Sequence, residues 1–313
     1  MAIRSTLFTL VAVSLTLAGC RSGTPKGTPV PGARPDIGVP LPSQVDAKAP
    51  AAALPLEQPK KVAVILGPGG AKAFAHVGVL KALQQQRVPI EKIVGLEWGA
   101  LIGALYAQKG TTHDLEWKLY KLEQQNVMES KGFFSRGAAD GRSLSVMDDF
   151  LKDSFGNEEV GRAKVPFECP SASIWSGVVA WQSRGSFRDA LKRCLPFPPT
   201  FKAQGTFMAG PSQATEAVEA LVKDGYNVIV LVNVLGSAAP VGQDALRDNL
   251  NYVILWQEIS RAVSETSRLN IDTVTVDTSA YPMNQFAAKK ELILLGENAG
   301  RKAAADLISK YRF

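Results

Sequence analysis

The fold of this chain is decided by residues 93–106, which read IVGLEWGALIGALY, an apolar run, a turn and a run rich in Ala, Leu and Gly. The pattern predicts a buried strand, a sharp turn and a helix, with Gly95 and Gly99 on either side of Glu97. A G-x-S-x-G nucleophile elbow has this layout, because its strand-turn-helix unit lifts one side chain above the sheet. Here Glu97, followed by Trp98, stands where that motif has serine. The sequence therefore predicts the frame of a hydrolase without its nucleophile.

The segment upstream of the elbow adds a glycine-rich loop. Residues 62–66, VAVIL, predict a buried strand, residues 67–73 read GPGGAKA, and an amphipathic helix follows. Together these motifs resemble the opening of the patatin-like phospholipase family, whose members carry a G-G-x-[R/K]-G oxyanion loop before a G-x-S-x-G elbow. The resemblance identifies the loop as Gly69, Gly70, Ala71, Lys72 and Ala73, with alanine in place of the last glycine. Ala73 keeps its N–H, so anion binding by the loop is compatible with that change.

The resemblance extends over residues 61–313 and implies an α/β fold, the patatin-like three-layer α/β/α sandwich with a mostly parallel central sheet. A helix at 214–223 and a strand at 228–234 continue in register with the family. A strand at 271–276 and a closing helix at 291–311 resemble its C-terminal elements. No cofactor follows from this resemblance.

The family's third motif, D-G-G/A, supplies the aspartate of a serine–aspartate dyad, and the alignment puts Ala209 at that position. A dyad needs a hydroxyl to attack the ester and a carboxylate to accept its proton, and both are missing here. The chain has two histidines, His76 and His113, and both are interpreted as structural or exposed. We therefore expect no catalytic residue, and a pseudoenzyme that binds or scaffolds a lipid or an envelope partner. The alternative is an atypical lipid acyl hydrolase of the phospholipase A type.

Two interpretations of Glu97 stay open. As a plug, its carboxylate accepts hydrogen bonds from the Gly69–Ala73 loop or pairs with Lys72, and so fills the former oxyanion pocket at a helix N-terminus. As drift, it is a polar residue tolerated at a solvent-accessible turn once activity was lost. Trp98 has two interpretations as well, a cover over the pocket mouth or packing against the following helix.

The N-terminal sequence predicts where the protein is located. Arg4, an apolar run at 7–17 and the sequence LAGC ending at Cys20 are typical of a lipoprotein signal peptide over residues 1–19, with Cys20 lipidated. Residues 20–60 are rich in proline with little apolar periodicity, which predicts a flexible tether. A membrane anchor, the bacterial cell envelope and the periplasmic face of the outer membrane are the expectation.

The cysteine content and the net charge bear on a disulfide, a metal site and a nucleic-acid partner. Besides Cys20 the chain has Cys169 and Cys194, an even pair that fits a disulfide in an oxidising compartment, although two separate buried thiols are favoured. The spacing of His and Cys predicts no metal site. The net charge of +6 comes from scattered basic residues, so no nucleic-acid partner is expected. Gly177 predicts a hairpin across which Trp175 and Trp181 would pair.

Overall fold

The strand at 62–66 lies at the centre of a mixed, mostly parallel sheet. In the computed structural model, which describes residues 59–122, 127, 143–198, 200–237, 250–269 and 271–313, the sheet has seven strands. They are β1 Val62–Leu66, β2 Ile90–Gly95, β3 Phe167–Ser173, β4 Val179–Gln182, β5 Phe207–Ala209, β6 Val228–Asn233 and β7 Asp272–Thr275. The order is β4-β3-β2-β1-β6-β7, with β5 also paired to β3. β1, β2, β6, β7 and the start of β3 run parallel, whereas β4 and β5 pair antiparallel with β3.

Eight helices accompany these strands in the described ranges. They are α1 Ala75–Gln85, α2 Trp98–Lys109, α3 Thr112–Tyr120, α4 Asp148–Phe155, α5 Phe187–Cys194, α6 Ala214–Lys223, α7 Leu250–Arg268 and α8 Lys289–Tyr311. Short 3₁₀ segments span Gly70–Phe74, Leu144–Met147, Val160–Arg162 and Phe286–Ala288. Across the described part of the chain, no helix has both the length and the apolar character needed to cross a bilayer.

Alternation along β1 divides the core into two layers. Val64 and Leu66 point to one side, into a core shared with α1, α2 and α8. Ala63 and Ile65 point to the other side, against α6 and α7. Successive strand residues face opposite sides of a sheet, so an all-apolar strand requires helices on both. The predicted three-layer α/β/α sandwich is confirmed.

The cysteine pair differs from the favoured expectation. Cys169 on β3 and Cys194 at the end of α5 form a disulfide, with their Cα atoms 6.1 Å apart. Both side chains are fully buried. The preference for two separate thiols was wrong, because α5 packs on β3 and brings the two sulfur atoms together.

The hairpin predicted at Gly177 is present between β3 and β4, and Gly177 has a φ of +68°. Its register pairs Pro170 with Trp181 and Ala172 with Val179. Trp175 therefore lies in the turn and does not pair with Trp181, so that prediction was wrong.

The predictions for the signal peptide, Cys20 and the tether concern residues that lie outside the described ranges, apart from residues 59 and 60. The compact unit to which the described residues belong runs from Glu57 to Phe313.

Candidate functional site

The candidate site is built where β1 and β2 end at the carboxyl edge of the sheet. Glu97 occupies the turn between β2 and α2, with φ 51° and ψ −123°. That backbone region is rare for a residue with a side chain and costs on the order of 1–3 kcal/mol. The strained conformation of an elbow is thus retained although the residue is glutamate.

The flanking glycines are required by close packing. A Cβ on Gly99 would lie 2.3 Å from the carbonyl oxygen of Leu66, and a Cβ on Gly95 would lie 2.4 Å from the Cα of Ala100. Neither distance is compatible with a real side chain. The positive φ of the turn belongs to Glu97 itself. Gly99 lets α2 approach the end of β1, and Gly95 lets the start of α2 pack against the end of β2.

The Glu97 side chain turns back onto the glycine loop. Its Oε2 accepts hydrogen bonds from the backbone nitrogens of Gly69 at 2.9 Å, Gly70 at 3.0 Å and Trp98 at 2.7 Å. The residue is only 3% exposed. One carboxylate oxygen therefore occupies a cradle of three N–H donors, which is the arrangement that an oxyanion hole offers to a substrate.

Two other donors of the loop are also satisfied within the protein. The N–H of Ala71 donates to the carbonyl of Met283 at 2.7 Å, and that of Lys72 donates to the carbonyl of Gly69 at 3.0 Å. A Cβ on Gly70, whose φ is +54°, would lie 2.7 Å from the same Met283 oxygen. The segment around Met283 is therefore closed over the loop, a contact that no sequence motif announced.

Burial and hydrogen bonding act on the Glu97 carboxyl in opposite directions. Burial raises the pKa of Glu97 from 4.5 to about 7, while the hydrogen bonds from Gly70, Gly69 and Trp98 lower it. Burial is the larger effect, because removal from water disfavours the charged form of the carboxyl group. The group therefore exchanges its proton near neutral pH.

Lys72 does not pair with Glu97, contrary to one of the two contacts expected for a plug. Its Nζ donates to the carbonyl of Thr278 at 2.9 Å and lies 4.5 Å from the centroid of the Tyr252 ring. Burial lowers the pKa of Lys72 to about 8, and the nearby Asp277 carboxylate raises it. The lysine fastens the loop to the segment after β7, and the backbone alone forms the cradle around Glu97.

Trp98 is packed inside the core. It is 1% exposed, and its ring centroid lies 4.9 Å from that of Phe286 and 6.0 Å from that of Phe201. The indole thus fills apolar space between α2, the segment before α8 and the segment before β5. Of the two interpretations of Trp98, a cover over the pocket mouth and packing, packing describes its position. The packed side chain also occupies space beside the elbow.

Ala209 is the last residue of β5, and it is fully buried. Its N–H donates to the carbonyl of Pro196 at 2.7 Å, and it pairs with Ser171 of β3. Gly210 follows, as glycine follows the aspartate in D-G-G/A. A methyl side chain cannot accept a proton, so this position contributes no base.

The two histidines are unsuited to replace that base. His76 is fully buried, and its Nε2 lies 2.8 Å from the carbonyl oxygen of Gly67. Burial lowers the pKa of His76 to about 4, so the ring is neutral and donates to that carbonyl. His113 is exposed on α3. Within the described residues, no group of three His, Cys, Asp or Glu side chains is arranged to hold a metal ion.

Comparison with known proteins finds a matching family model and several similar proteins. The family model for patatin-like phospholipase matches residues 64–219, which include the loop, the elbow and Ala209. An uncharacterized NTE family protein of Mycobacterium tuberculosis is 24% identical over 213 residues, which is 67% of this chain and 57% of the relative. The chain thus spans little more than half the length of that relative.

Two further proteins are similar to this chain over short segments, and one solved structure is similar at low sequence identity. Lysophospholipase NTE1 of Coccidioides immitis is 51% identical over 49 residues, 16% of this chain and 3% of that protein. Human patatin-like phospholipase domain-containing protein 6 is 48% identical over 48 residues, 15% of this chain and 4% of the relative. Among solved structures, the type III effector protein ExoU is similar over 79% of this chain and 53% of its own chain, at 12% identity and a TM-score of 0.37.

Proposed function

Since the chain belongs to the patatin-like phospholipase family, we propose that it is a member that has lost ester hydrolysis and keeps the scaffold for binding. Its work is to bind or scaffold a lipid or a protein partner at the bacterial cell envelope.

The observation that carries the proposal is the occupied cradle. Glu97 Oε2 accepts from Gly69, Gly70 and Trp98, at the point where a substrate oxyanion would have to bind. A substrate carbonyl would need to displace a buried side chain that is covalently part of the elbow. The same residue thus removes the nucleophile and fills the anion site.

The groups at positions 97 and 209 also favour a loss of ester hydrolysis. A carboxylate attacking an ester would form an anhydride, and the alanine at 209 leaves no proton acceptor at the dyad position. Loss of a serine nucleophile alone typically lowers turnover by about a millionfold. The folded frame has been maintained nonetheless, since a strained elbow and a buried disulfide are both present.

A binding role at the envelope is supported by the N-terminal sequence. The signal-like segment ending in LAGC favours a lipid anchor on Cys20, and the proline-rich residues after it favour a tether. In this proposal the domain is held near a membrane, facing the periplasm, where a lipid or an envelope protein is the available partner. No nucleic acid, metal or cofactor is part of it.

Hydrolysis of fluorogenic short-chain and phospholipid esters by the purified full chain tests the proposal. The wild-type chain and Glu97→Ser are both expected to be silent, because a restored hydroxyl still lacks a base. The double variant Glu97→Ser/Ala209→Asp returns both groups, and any turnover it gains would show that the frame survives. Wild-type turnover that disappears in Glu97→Gln would overturn the proposal.

A further inference from the structure

The tip of the β3–β4 hairpin exposes three large apolar side chains. Ile174 is 46% exposed, Trp175 is 81% exposed and Val178 is 64% exposed. They lie within five consecutive residues of a tight turn. Single exposed apolar residues are ordinary, but a cluster at a protruding turn marks a contact surface.

Five backbone N–H groups of this tip are hydrogen-bonded within the protein. The bonds are Ser173 N to Val178 O at 2.9 Å, Gly177 N to Ser173 O at 2.8 Å, Ser176 N to Ser173 Oγ at 3.3 Å, Val178 N to Ser176 Oγ at 3.3 Å and Ile174 N to Thr206 O at 2.8 Å. An unpaired backbone group in an apolar medium costs several kcal/mol. Because these five N–H groups are already paired, moving them out of water does not incur that cost.

The tip lies on the same edge of the sheet as Glu97. β3 runs parallel to β2, and Glu168 pairs with Val94 near the end of β2. From there β3 continues to Ser173, which at about 3.3 Å per residue takes it roughly 17 Å further. The hairpin therefore extends past the carboxyl ends of the central strands.

A cationic cavity lies at the base of the hairpin. It has a volume of about 450 Å³, and its lining includes Lys192, Arg193, Thr206 and Phe207. Phe207 pairs with Ser173 at the end of β3, and the Arg193 guanidinium lies 5.0 Å from its ring centroid. The cavity is therefore adjacent to the apolar tip.

Of the two cations that line this cavity, Arg193 is the more exposed. Lys192 contacts the Asp148 carboxylate at 2.8 Å. Asp189 also lines the cavity, and its carboxylate accepts from the Ser186 hydroxyl at 2.8 Å. Arg193 is exposed, and its hydrogen bond to Gln182 Oε1, at 3.4 Å, is long.

We propose that this edge docks on an anionic phospholipid bilayer, with Ile174, Trp175 and Val178 inserted at the interface and a lipid phosphate held by Arg193. Tryptophan favours the boundary between headgroups and acyl chains, since its ring is apolar and its N–H is polar. Arginine binds phosphate through planar paired donors, and anionic leaflets attract such cations. A small protruding turn suits a deformable lipid surface. The proposal stands whether or not position 97 is catalytically silent.

Depth-dependent quenching of tryptophan by brominated lipids tests the insertion. The full chain is reconstituted in vesicles of phosphatidylcholine with phosphatidylglycerol, brominated at shallow acyl positions. The chain has five tryptophans, and two of them, Trp117 at 64% and Trp175 at 81%, are prominently exposed. Trp175→Phe is expected to remove most of the quenching, while the matched control Trp117→Phe leaves it nearly unchanged. Arg193→Gln is expected to reduce quenching in these vesicles more strongly than in vesicles of phosphatidylcholine alone, where choline offsets the charge of each phosphate.

Several different results would overturn the proposal of membrane docking. Quenching that follows Trp117, or none in any vesicle, would overturn the proposal. A dimer in detergent that Trp175→Ser converts to a monomer, without quenching, would assign the tip to a second copy of the chain and overturn it too. An unchanged melting temperature for Trp175→Phe shows that its effect comes from the tip, because the residue is mostly exposed to solvent.

Discussion

The side-chain Oε2 of Glu97 lies 2.9 Å from the backbone nitrogen of Gly69, although 28 residues separate the two in sequence. This contact joins the elbow after β2 to the glycine loop after β1. Glu97, which stands where the elbow motif has serine, thus accepts hydrogen bonds from the glycine loop. The interpretation of Glu97 as a residue tolerated at a solvent-accessible turn does not fit a side chain that is 3% exposed.

The Glu97 carboxyl gives stability a distinctive pH dependence. Its pKa rises from 4.5 to about 7 on folding because of burial, so the folded state holds the proton more tightly than the unfolded state. Its stabilising contribution is complete below pH 4.5 and is lost as pH rises through about 7, by roughly 3 kcal/mol in total. Chemical unfolding of the wild-type chain and of Glu97→Gln at several pH values measures this. The wild-type chain should lose stability relative to the variant between pH 4.5 and 8.

The amide variant is a matched comparison because it keeps the shape of the protonated carboxyl and does not titrate. A constant difference in unfolding free energy across this range would contradict the buried position of Glu97. His76, whose pKa is lowered by burial, contributes with the opposite sign, so the comparison must be made between these two proteins at each pH.

Trp98 is expected to be a major packing residue beside the elbow. Replacing the fully buried indole by Ala leaves a cavity next to Phe201 and Phe286, and substitutions of this size cost about 3–5 kcal/mol. Trp98→Ala should lower the unfolding free energy by that amount, and Trp117→Ala, at an exposed position on α3, should change it by less than about 0.5 kcal/mol. Denaturant titrations of the two variants make the comparison. Equal small losses would mean that Trp98 is not packed as described.

The disulfide between Cys169 and Cys194 should stabilise the domain measurably. It closes a loop with a sequence separation of 25, for which the loss of chain entropy in the unfolded state corresponds to about 3 kcal/mol. Reduction is therefore expected to lower the melting temperature. The variant Cys169→Ala/Cys194→Ala should be insensitive to reductant. A wild-type melting temperature that ignores reductant, under conditions where the bond is shown to be reduced, would contradict the expectation.

Most of the fold was accessible from sequence because its elements are strongly patterned. The five apolar residues of β1 and the run into α2 specify a buried parallel sheet, and both occur where expected. The strand predicted at 228–234 is β6, and the closing helix begins two residues earlier than expected, at Lys289. Local pattern predicted β1 and α2, whereas the strand at 228–234 and the closing helix were predicted from the family resemblance.

The contacts of the site were only partly accessible because they join distant segments. Lys72 lies 206 residues from Thr278, whose carbonyl accepts a hydrogen bond from its Nζ, and nothing near either residue predicts that bond. Met283 covers the glycine loop through its backbone oxygen, which has no sequence signature. Glu97 was singled out because it breaks a motif, yet the choice between a plug and a tolerated residue required its hydrogen bonds.

The most direct test of the central claim is the rate of ester hydrolysis by the purified wild-type chain, measured beside Glu97→Gln in the same preparation. Because Glu97 fills the anion site and position 209 lacks a base, both proteins should hydrolyse fluorogenic and phospholipid esters no faster than buffer. Turnover by the wild-type chain that is abolished in Glu97→Gln would show that the carboxylate takes part in catalysis, and would contradict the loss of ester hydrolysis in this protein.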